Sequence, residues 1–179
     1  MTSLRCFSML DLLKFNKVNL DILTETYNVS FYGKYLAKWP EYCKVAESPS
    51  GDIQGYVLGK VEGDKSNEEK KNWHGHVTAV TVAPSYRRQG LAKALMKYLE
   101  DTTIMHNGFF VDLFVRKSNE VAIGMYEGMG YRVYRTVVNY YSQPEEDAYD
   151  MRKAMPRDKD KVTLYTDRNC ISPSELEFH

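Results

Sequence analysis

The sequence predicts an α+β domain built around a mixed, mostly antiparallel sheet of seven strands flanked by about four helices. Two features of the chain support this class. Strand-like segments occur in pairs near both ends, and in the middle single strands alternate with amphipathic helices. A length of 179 residues allows one domain with a substantial core, and no internal repeat indicates a solenoid. We therefore expect one domain over residues 1–155 and a polar tail over residues 156–179.

The first half of the chain is predicted to hold a short strand, two helices and a hairpin. Residues 3–7 alternate as in a strand, and the apolar run that follows has helical spacing. That run consists of Leu10, Leu12, Leu13, Phe15, Val18 and Leu20. A second helix over residues 31–38 ends before Pro40, because the residue ahead of a proline disfavours the helical conformation. Strands over residues 44–47 and 53–61 flank a turn rich in serine and glycine and form a hairpin.

The second half alternates strands and helices before a final pair of strands. A charged loop without periodicity covers residues 62–72. The predicted elements after it are a strand over 74–82, a helix over 91–101, a strand over 109–115, a helix over 119–129 and strands over 131–141 and 149–155. Asp112 interrupts the otherwise apolar strand over 109–115, and Gly130 suits the left-handed residue that ends a helix.

Composition narrows the class of protein. Hydrophobic residues make up 43% and aromatic residues 13% of the chain, as expected for a packed globular protein. Lys and Arg total 24, and so do Asp and Glu, so no overall field draws the chain to nucleic acid or to an anionic membrane. No segment has the ~20 apolar residues of a membrane span, and the first residues do not resemble a signal peptide. We expect a soluble protein.

The three cysteines are Cys6, Cys43 and Cys170, and they have neither Cys-x-x-Cys nor metal-ligand spacing. An odd number of cysteines without such spacing predicts no disulfide framework and no zinc site. A reducing, cytoplasmic compartment fits this pattern. We therefore expect no metal cofactor.

The segment from Val80 to Ala92 indicates the end of a strand, a tight turn and the start of a helix. The first turn of a helix has backbone N–H groups without intrahelical partners, and together with the helix dipole they form a site for anions. Gly90 lets that backbone approach a ligand closely. The alternative is an ordinary strand-to-helix turn with a solvated arginine pair.

The run Arg87-Arg88-Gln89-Gly90-Leu91-Ala92 resembles the Arg/Gln-x-x-Gly-x-Gly/Ala signature of the GNAT superfamily of acyl-CoA-dependent N-acetyltransferases. The resemblance implies that this run wraps the diphosphate of coenzyme A, with acetyl-CoA as the acetyl donor. It also implies that the strand positions Val80 and Val82 offer backbone groups to the pantetheine arm. The order of the predicted elements matches the GNAT fold.

A second constellation has the form Asn119-x-x-Ala122-x-x-x-Tyr126-x-x-x-Gly130-Tyr131. Asn119 and Tyr126 lie about two helical turns apart, so both fall on one face of the predicted helix. The pattern resembles a second GNAT motif, which implies that Asn119 supports the cofactor and that Tyr126 stands near the thioester sulfur. The alternatives are a helix-capping role for Asn119 and a core position for Tyr126.

Acetyl transfer requires a neutral amine, stabilisation of an oxyanion and a proton for the departing thiolate. We assign that proton to Tyr126. A free α-amine has a pKa of about 8, so a weak base suffices, whereas a lysine side chain at about 10.4 requires more. Candidate bases are His76 directly, or Glu25 and His76 through ordered water, and both remain open at this point.

Several longer runs within residues 1–155 resemble the catalytic subunits of NatB-type N-terminal acetyltransferase complexes. These runs cover residues 24–27, 39–42, 73–79, 108–116 and 147–153. The resemblance implies transfer to nascent chains that begin Met-Asp, Met-Glu, Met-Asn or Met-Gln. It also implies a peptide groove whose walls include the loop around Glu25 and the pair Tyr140 and Tyr141.

The four second residues of those nascent chains share a side-chain carbonyl oxygen that accepts hydrogen bonds. A donor such as His76, with Gly75 beside it and Thr78 on the same strand face, can bind that oxygen, and an apolar second residue would leave the donor unpaired. The substrate methionine needs an apolar slot, and the candidates by position are Leu23, Tyr27, Phe114 and Tyr140. The alternatives in these segments are helix capping for Thr24 and Thr26, a solvated strand end for the histidine pair, and cross-strand packing for Tyr140 and Tyr141.

The first helical region is apolar over more than one stripe. The NatB resemblance implies a helical-repeat auxiliary subunit that binds there and docks on ribosomes, and a thick core helix is the alternative.

Two rival functions keep the same fold: a GNAT enzyme with a lysine or polyamine acceptor, and a non-catalytic acyl-CoA-binding module. The presence of Tyr126 beside a full phosphate-binding motif favours an enzyme over the module.

Overall fold

The computed structural model describes residues 2–20 and 25–178 of the chain. Its helices are α1 (Asn16–Asn19), α2 (Val29–Lys38), α3 (Leu91–Met105) and α4 (Glu120–Gly128). Its strands are β1 (Ser3–Cys6), β2 (Cys43–Glu47), β3 (Ile53–Glu62), β4 (His74–Val82), β5 (Phe110–Arg116), β6 (Arg132–Ser142), β7 (Glu145–Ala154) and β8 (Cys170–Ile171). Within these residues, no helix combines the length and the apolar character that crossing a bilayer requires.

The first of two compact units comprises Met1–Val61 and Val77–Thr102. Its strands lie in the order β1-β2-β3-β4, and β2 pairs antiparallel with both β1 and β3. Aromatic rings fill its core, and each buries a large apolar area. The ring centroids of Phe15 and Tyr32 are 5.6 Å apart, and those of Phe7 and Tyr56 are 5.2 Å apart. The side chain of Asn28 accepts a hydrogen bond from the Phe31 amide and so caps the start of α2.

The second unit comprises Glu62–His76 and Thr103–His179. The first three residues of β4 belong to it, and its strands lie in the order β4-β5-β7-β6-β8. β7 pairs antiparallel with β5 and with β6, whereas β8 runs parallel to β6. The register of β5 and β7 sets Asp112 opposite Arg152. A smaller apolar cluster contains Val137, Ala148, Ile171 and Leu176.

The α+β class and the mixed sheet with four helices are confirmed, and most predicted elements lie within a few residues of the observed ones. Helix α3 continues beyond its predicted end at residue 101 to Met105, because Thr102 and Thr103 are buried and extend its packed face. The predicted number of strands was wrong, since the described residues contain eight and not seven.

The eighth strand lies in the segment after Pro156, which the sequence pattern leaves as a polar tail. The carboxylate of Asp158 accepts hydrogen bonds from the amides of Val162 and Thr163 and from the Thr163 hydroxyl, so this segment folds on a polar anchor. Ile171 and Leu176 are then buried. Two isolated apolar residues and a two-residue strand give no periodicity, which explains why the pattern does not reveal them.

The apolar run over residues 10–20 is not one helix. A 3₁₀ turn covers Met9–Leu13 and the single turn of α1 follows it. The cause is Asp11, which is buried: its carboxylate accepts from the backbone and hydroxyl of Ser8 and from both terminal nitrogens of Arg5, and these bonds fix a tight turn. The side chains of Leu10, Leu13 and Leu20 are 70%, 78% and 84% exposed. Their apolar character therefore does not serve the core.

Candidate active site

The turn between β4 and α3, in the first unit, is exposed and has an unusual backbone. Arg88 has a φ of 63° and Gly90 a φ of 80°, both in the left-handed region. The start of the turn is anchored, because the Ala83 amide donates to the carbonyl of Gln54 at 2.8 Å and the Arg87 Nε donates to the carbonyl of Val82 at 3.1 Å. Arg87, Arg88, Gln89 and Gly90 are all exposed.

The N-terminal end of α3 is suited to an anion. Its first intrahelical bond joins the Ala94 amide to the Gly90 carbonyl at 3.0 Å, so the preceding amides, those of Leu91 and Ala92 included, have no acceptor within the helix. A Cβ atom added to Gly90 would meet no other atom within 4 Å, so the space above the turn is open. Buried Leu91, Leu95 and Leu99 hold the helix in place. A diphosphate fits this arrangement of open space, free amides and helix dipole.

Val80 and Val82, which the sequence assigns to the pantetheine arm, lie on the same face of β4 in this unit. Val82 is buried and Val80 is half-buried. Two further residues of the unit contact the same strand. The Tyr27 hydroxyl donates to the carbonyl of Thr78 at 3.4 Å, and the Thr78 hydroxyl donates to the Tyr35 hydroxyl at 2.9 Å.

Glu25 is exposed in the first unit, and Leu23 lies outside the described residues. Tyr27, which follows Glu25 closely, is half-buried and stacks on Phe31 with ring centroids 4.2 Å apart. Of the described residues that the sequence predicts to bind the peptide in this unit, Glu25 and Tyr27 therefore lie in the loop ahead of α2, and Thr78 lies on β4.

Helix α4 of the second unit carries both residues of the other GNAT-like pattern. The Asn119 side chain accepts a hydrogen bond from the Ala122 amide at 3.2 Å, so the capping role is real. Tyr126 is buried, and its ring meets that of Tyr131 edge to face at 5.9 Å. Burial raises the pKa of the Tyr126 phenol, so the phenol keeps its proton at neutral pH. Gly130, with a φ of 94°, ends the helix as the sequence predicts.

The second unit also brings four predicted peptide-binding residues together. The ring of His76 lies 5.5 Å from that of Phe114, Phe114 lies 4.7 Å from Tyr140, and Tyr140 lies 5.0 Å from Tyr141. These rings form a continuous aromatic surface that starts at an imidazole. Gly75 also has a packing role, since a Cβ at this position would lie 2.1 Å from Oγ1 of Thr103. It allows β4 to approach Thr103.

Two residues that the sequence analysis did not assign complete this site. Asp112 and His74 are 5% and 2% exposed. Oδ1 of Asp112 lies 2.7 Å from Nδ1 of His76, which is 8% exposed, and Oδ2 lies 3.5 Å from Nε2 of His74. A His-x-His pair on one strand with a lone aspartate in a neighbouring apolar strand is the signal that could have found them.

The electrostatics of this cluster follow from burial and proximity. Burial opposes the charge on Asp112, but the imidazoles of His74 and His76 outweigh it and hold the pKa of this carboxyl well below its usual range. Burial likewise opposes a charge on His74, yet the carboxylate of Asp112 outweighs it and raises the pKa of His74. Among the described residues no group of His, Cys, Asp and Glu side chains has the arrangement of a metal site.

A cavity of about 270 Å³ lies beside these groups in the second unit. Its walls include His74, His76 and Phe114 from the strands and Tyr165 and Phe178 from the C-terminal segment. The Phe178 ring lies 5.6 Å from that of His74. The C-terminal segment therefore closes one side of the space next to His76.

Comparison with known proteins identifies the family of this site. A model of the acetyltransferase (GNAT) family matches residues 10–131. The chain is 55% identical over 179 residues to the N-terminal acetyltransferase B complex catalytic subunit NAA20 of Arabidopsis thaliana, and the match covers 99% of both proteins.

Solved structures agree with this match. One is Naa20 of Chaetomium thermophilum in complex with a bisubstrate analogue, which is 44% identical with a TM-score of 0.87 over 96% of this chain and 97% of that one. Another is the NatB acetyltransferase complex bound to CoA and MES, in which the matched chain is 46% identical with a TM-score of 0.78 over 86% of this chain and 99% of that one.

Proposed function

Because this chain belongs to the acetyltransferase (GNAT) family, we propose that it is the catalytic subunit of a NatB-type complex that acetylates the N-termini of nascent proteins. It is an N-α-acetyltransferase that depends on acetyl-CoA. The observation that carries the proposal is the exposed turn over residues 87–90 ahead of α3, with open space above Gly90. A left-handed backbone, exposed arginines and the start of a helix occur together at this turn of the first unit, as an anion site requires.

We assign the coenzyme A diphosphate to this turn, with Arg87, Arg88 and the amides of Gln89 to Ala92 as its partners. Val80 and Val82 hold the pantetheine arm through their backbone groups. Asn119 of the second unit supports the cofactor with its side-chain NH₂ group, because its capping bond uses only the side-chain oxygen. Bound acetyl-CoA supplies an activated acetyl thioester. Every other requirement of the reaction falls to the side chains of the protein.

Tyr126 is the proposed proton donor to the departing thiolate. Its phenol is buried and protonated at neutral pH, which is the state that a general acid needs. His76 and Glu25 are the groups proposed to receive the proton of the acceptor amine. An α-amine with a pKa of about 8 needs less help from such a base than a lysine does, which favours an N-terminal acceptor.

The proposed acceptors begin with Met followed by Asp, Glu, Asn or Gln. Phe114 and Tyr140 of the second unit offer an aromatic surface for the methionine. Tyr27 and Leu23 are assigned to the same methionine from the sequence alone, and Tyr141 is assigned to the wall of the peptide groove. His76 meets the side-chain oxygen of the second residue, with Thr78 next to it along β4 and Gly75 keeping the strand in place. The cavity of about 270 Å³ beside His76 has room for the side chain of that second residue.

We place the auxiliary subunit on the exposed leucines of the first unit, and through it the ribosome. Leu10, Leu13 and Leu20 are each at least 70% exposed, within eleven residues of the sequence. Several large apolar side chains exposed in one short segment favour a protein interface there. A subunit that meets nascent chains in this way works in the cytoplasm. We propose no direct contact with nucleic acid or membrane.

A peptide panel tests the proposed function. The full chain with its auxiliary subunit is given acetyl-CoA and peptides beginning Met-Asp, Met-Leu or Ser-Thr, and an N-terminally blocked peptide with an internal lysine. We expect rapid acetylation of the Met-Asp α-amine alone. Transfer to the internal lysine or to a polyamine would support the rival enzyme, and tight binding of acetyl-CoA with no transfer to any acceptor would support the acyl-CoA-binding module.

A further inference from the structure

His74, Asp112 and His76 form a linear array in the second unit. The two histidines are two residues apart on β4, so their side chains share one face of the strand. Asp112 on β5 lies between them, and each of its carboxylate oxygens faces a different imidazole, at 2.7 Å and 3.5 Å. All three side chains are buried, so these contacts are not screened by water.

The surroundings of His74 determine its protonation. Its Nδ1 lies 2.6 Å from the carbonyl oxygen of Asn72, which can only accept, so Nδ1 carries a proton. Its Nε2 lies 3.5 Å from Oδ2 of Asp112 and 3.9 Å from Oε2 of Glu62, which also accept. Burial and the guanidinium of Arg152 oppose a charge on His74, but the acceptors at both nitrogens favour the doubly protonated imidazolium and raise the pKa of His74. Protonated His74 balances the negative charge of Asp112.

The same array determines the tautomer of His76. Its Nδ1 faces an ionised carboxylate oxygen, so Nδ1 is the donor. In the neutral imidazole that donates from Nδ1, the lone pair is at Nε2. Within the described part of the chain, Nε2 of His76 has no hydrogen-bond partner. That nitrogen is available to a substrate.

We propose that Asp112, supported by His74, is a positioning residue that fixes His76 with its lone pair on Nε2 and so makes His76 the general base for the peptide amine. The inference rests on the proposed function. The substrate ammonium gives one proton to Nε2, the C–N bond forms as the C–S bond breaks, and Tyr126 protonates the sulfur. The second amine proton returns through water to the Tyr126 oxygen, so one proton is released per acetyl group. The new Nε2–H of His76 is the donor that meets the side-chain oxygen of the second residue.

The test uses the full chain and the variant Asp112→Asn. The side-chain amide of asparagine can donate to Nδ1 and so favours the other tautomer of His76. Nitrogen-15 spectra of the ring nitrogens report the tautomer directly, and with only 4 histidines in the chain the signals can be assigned with His76→Gln. We expect a protonated Nδ1 and an unprotonated Nε2 in the wild type at neutral pH, and a shift toward protonated Nε2 in the variant. We expect kcat on a Met-Asp peptide to fall at least a hundredfold with the KM for acetyl-CoA within about twofold.

Asp150→Asn is the matched control, because it removes another buried carboxylate of the same unit that pairs with Arg135 and Arg152 and does not contact His76. We expect its folded fraction to keep the His76 tautomer and kcat. A folded Asp112→Asn protein with wild-type kcat, or a wild-type His76 protonated at Nε2, would overturn the inference.

If Asp112→Asn does not fold, His74→Gln supplies the test. It removes the imidazole that supports Asp112, so the nitrogen-15 signals of His76 should shift and kcat should fall. Wild-type nitrogen-15 signals of His76 together with wild-type kcat in this variant would also overturn the inference. Failure of the wild-type protein to acetylate any peptide would instead count against the proposed function, since the nitrogen-15 result does not depend on turnover.

Discussion

A Cβ atom placed on Gly75 would lie 2.1 Å from Oγ1 and 3.1 Å from Cβ of Thr103, so the strand that carries both histidines rests directly on the end of α3. Gly75→Ala should therefore destabilise the protein by about 1–3 kcal/mol through overpacking, measured by urea unfolding. Thr103→Ala in the same chain should recover part of the loss. Gly124→Ala is the control, because a Cβ at Gly124 meets no atom within 4 Å. Equal stability of the Gly75→Ala and Gly124→Ala proteins would contradict the steric explanation.

Gly90→Ala should weaken acetyl-CoA binding about tenfold or more, because the new methyl group lies at the open turn proposed for the diphosphate and the left-handed backbone disfavours alanine. Gly51→Ala is a matched control in the turn between β2 and β3, since Gly51 also has a positive φ and open space around it. Both variants should lose about 1 kcal/mol of stability. Isothermal titration calorimetry should separate them, and equal affinities for acetyl-CoA would argue against a diphosphate at Gly90.

Tyr126→Phe should lower kcat about a hundredfold while leaving the affinity for acetyl-CoA nearly unchanged, because it removes a buried proton donor and keeps the ring. Steady-state kinetics with a Met-Asp peptide measure the effect. Tyr149→Phe on β7 serves as the control for loss of a tyrosine hydroxyl. Unaltered turnover by Tyr126→Phe would remove this phenol from the mechanism.

The stability of the protein should fall as the pH rises above about 6.5, the usual pKa of histidine. The pKa of His74 is raised in the folded state, so its contribution to stability is complete below the unfolded pKa and is lost as the pH rises through the folded one. The pKa of Asp112 is lowered, so its contribution is lost only in acid, below about 4. Urea unfolding between pH 6 and 9 measures the slope, and His74→Gln should flatten it. A slope of the opposite sign would exclude a charged His74.

Leu13→Glu should weaken binding of the auxiliary subunit by about 2 kcal/mol, or roughly thirtyfold, because it places a charge where we propose an apolar interface. Acetyl-CoA binding should not change. Val121→Glu is a control with similar exposure, since Val121 is 83% exposed on α4 in the other unit. Co-purification and titration of the two subunits would show the difference. Equal affinity of both variants for the auxiliary subunit would place the interface elsewhere.

Much of the fold was predictable because its elements have local signals. The turn before α3 is marked by Gly90 between a strand and an amphipathic helix, and α4 is bounded by Asn119 and Gly130. Such signals depend on neighbours in the sequence. Apolar spacing alone was misleading over residues 10–20, because Arg5 and Ser8 bind the Asp11 carboxylate and divide an apolar run that has the spacing of one helix.

The unpredicted part of the candidate site depends on contacts between distant positions. Asp112 lies 36 residues from His76, and only the pairing of strands brings the two within hydrogen-bonding distance. In the sequence Asp112 is a single polar residue in an apolar strand, and His74 is a histidine at a strand start. The burial that shifts their pKa values arises from the C-terminal segment and neighbouring strands, which no local pattern encodes.

The guanidinium of Arg5 also contacts the carboxylate of Glu47 on β2, so the segment with the exposed leucines is held by charged hydrogen bonds as well as by its buried side chains Phe15 and Val18. A partner would meet these leucines already in place and would not have to order a flexible loop. Association on such a surface loses little conformational entropy, so a modest contact area can give a long-lived complex. Raising the salt concentration should weaken the ion pairs of Arg5 that help to hold the exposed leucines in place, even though the contact with the partner is itself apolar.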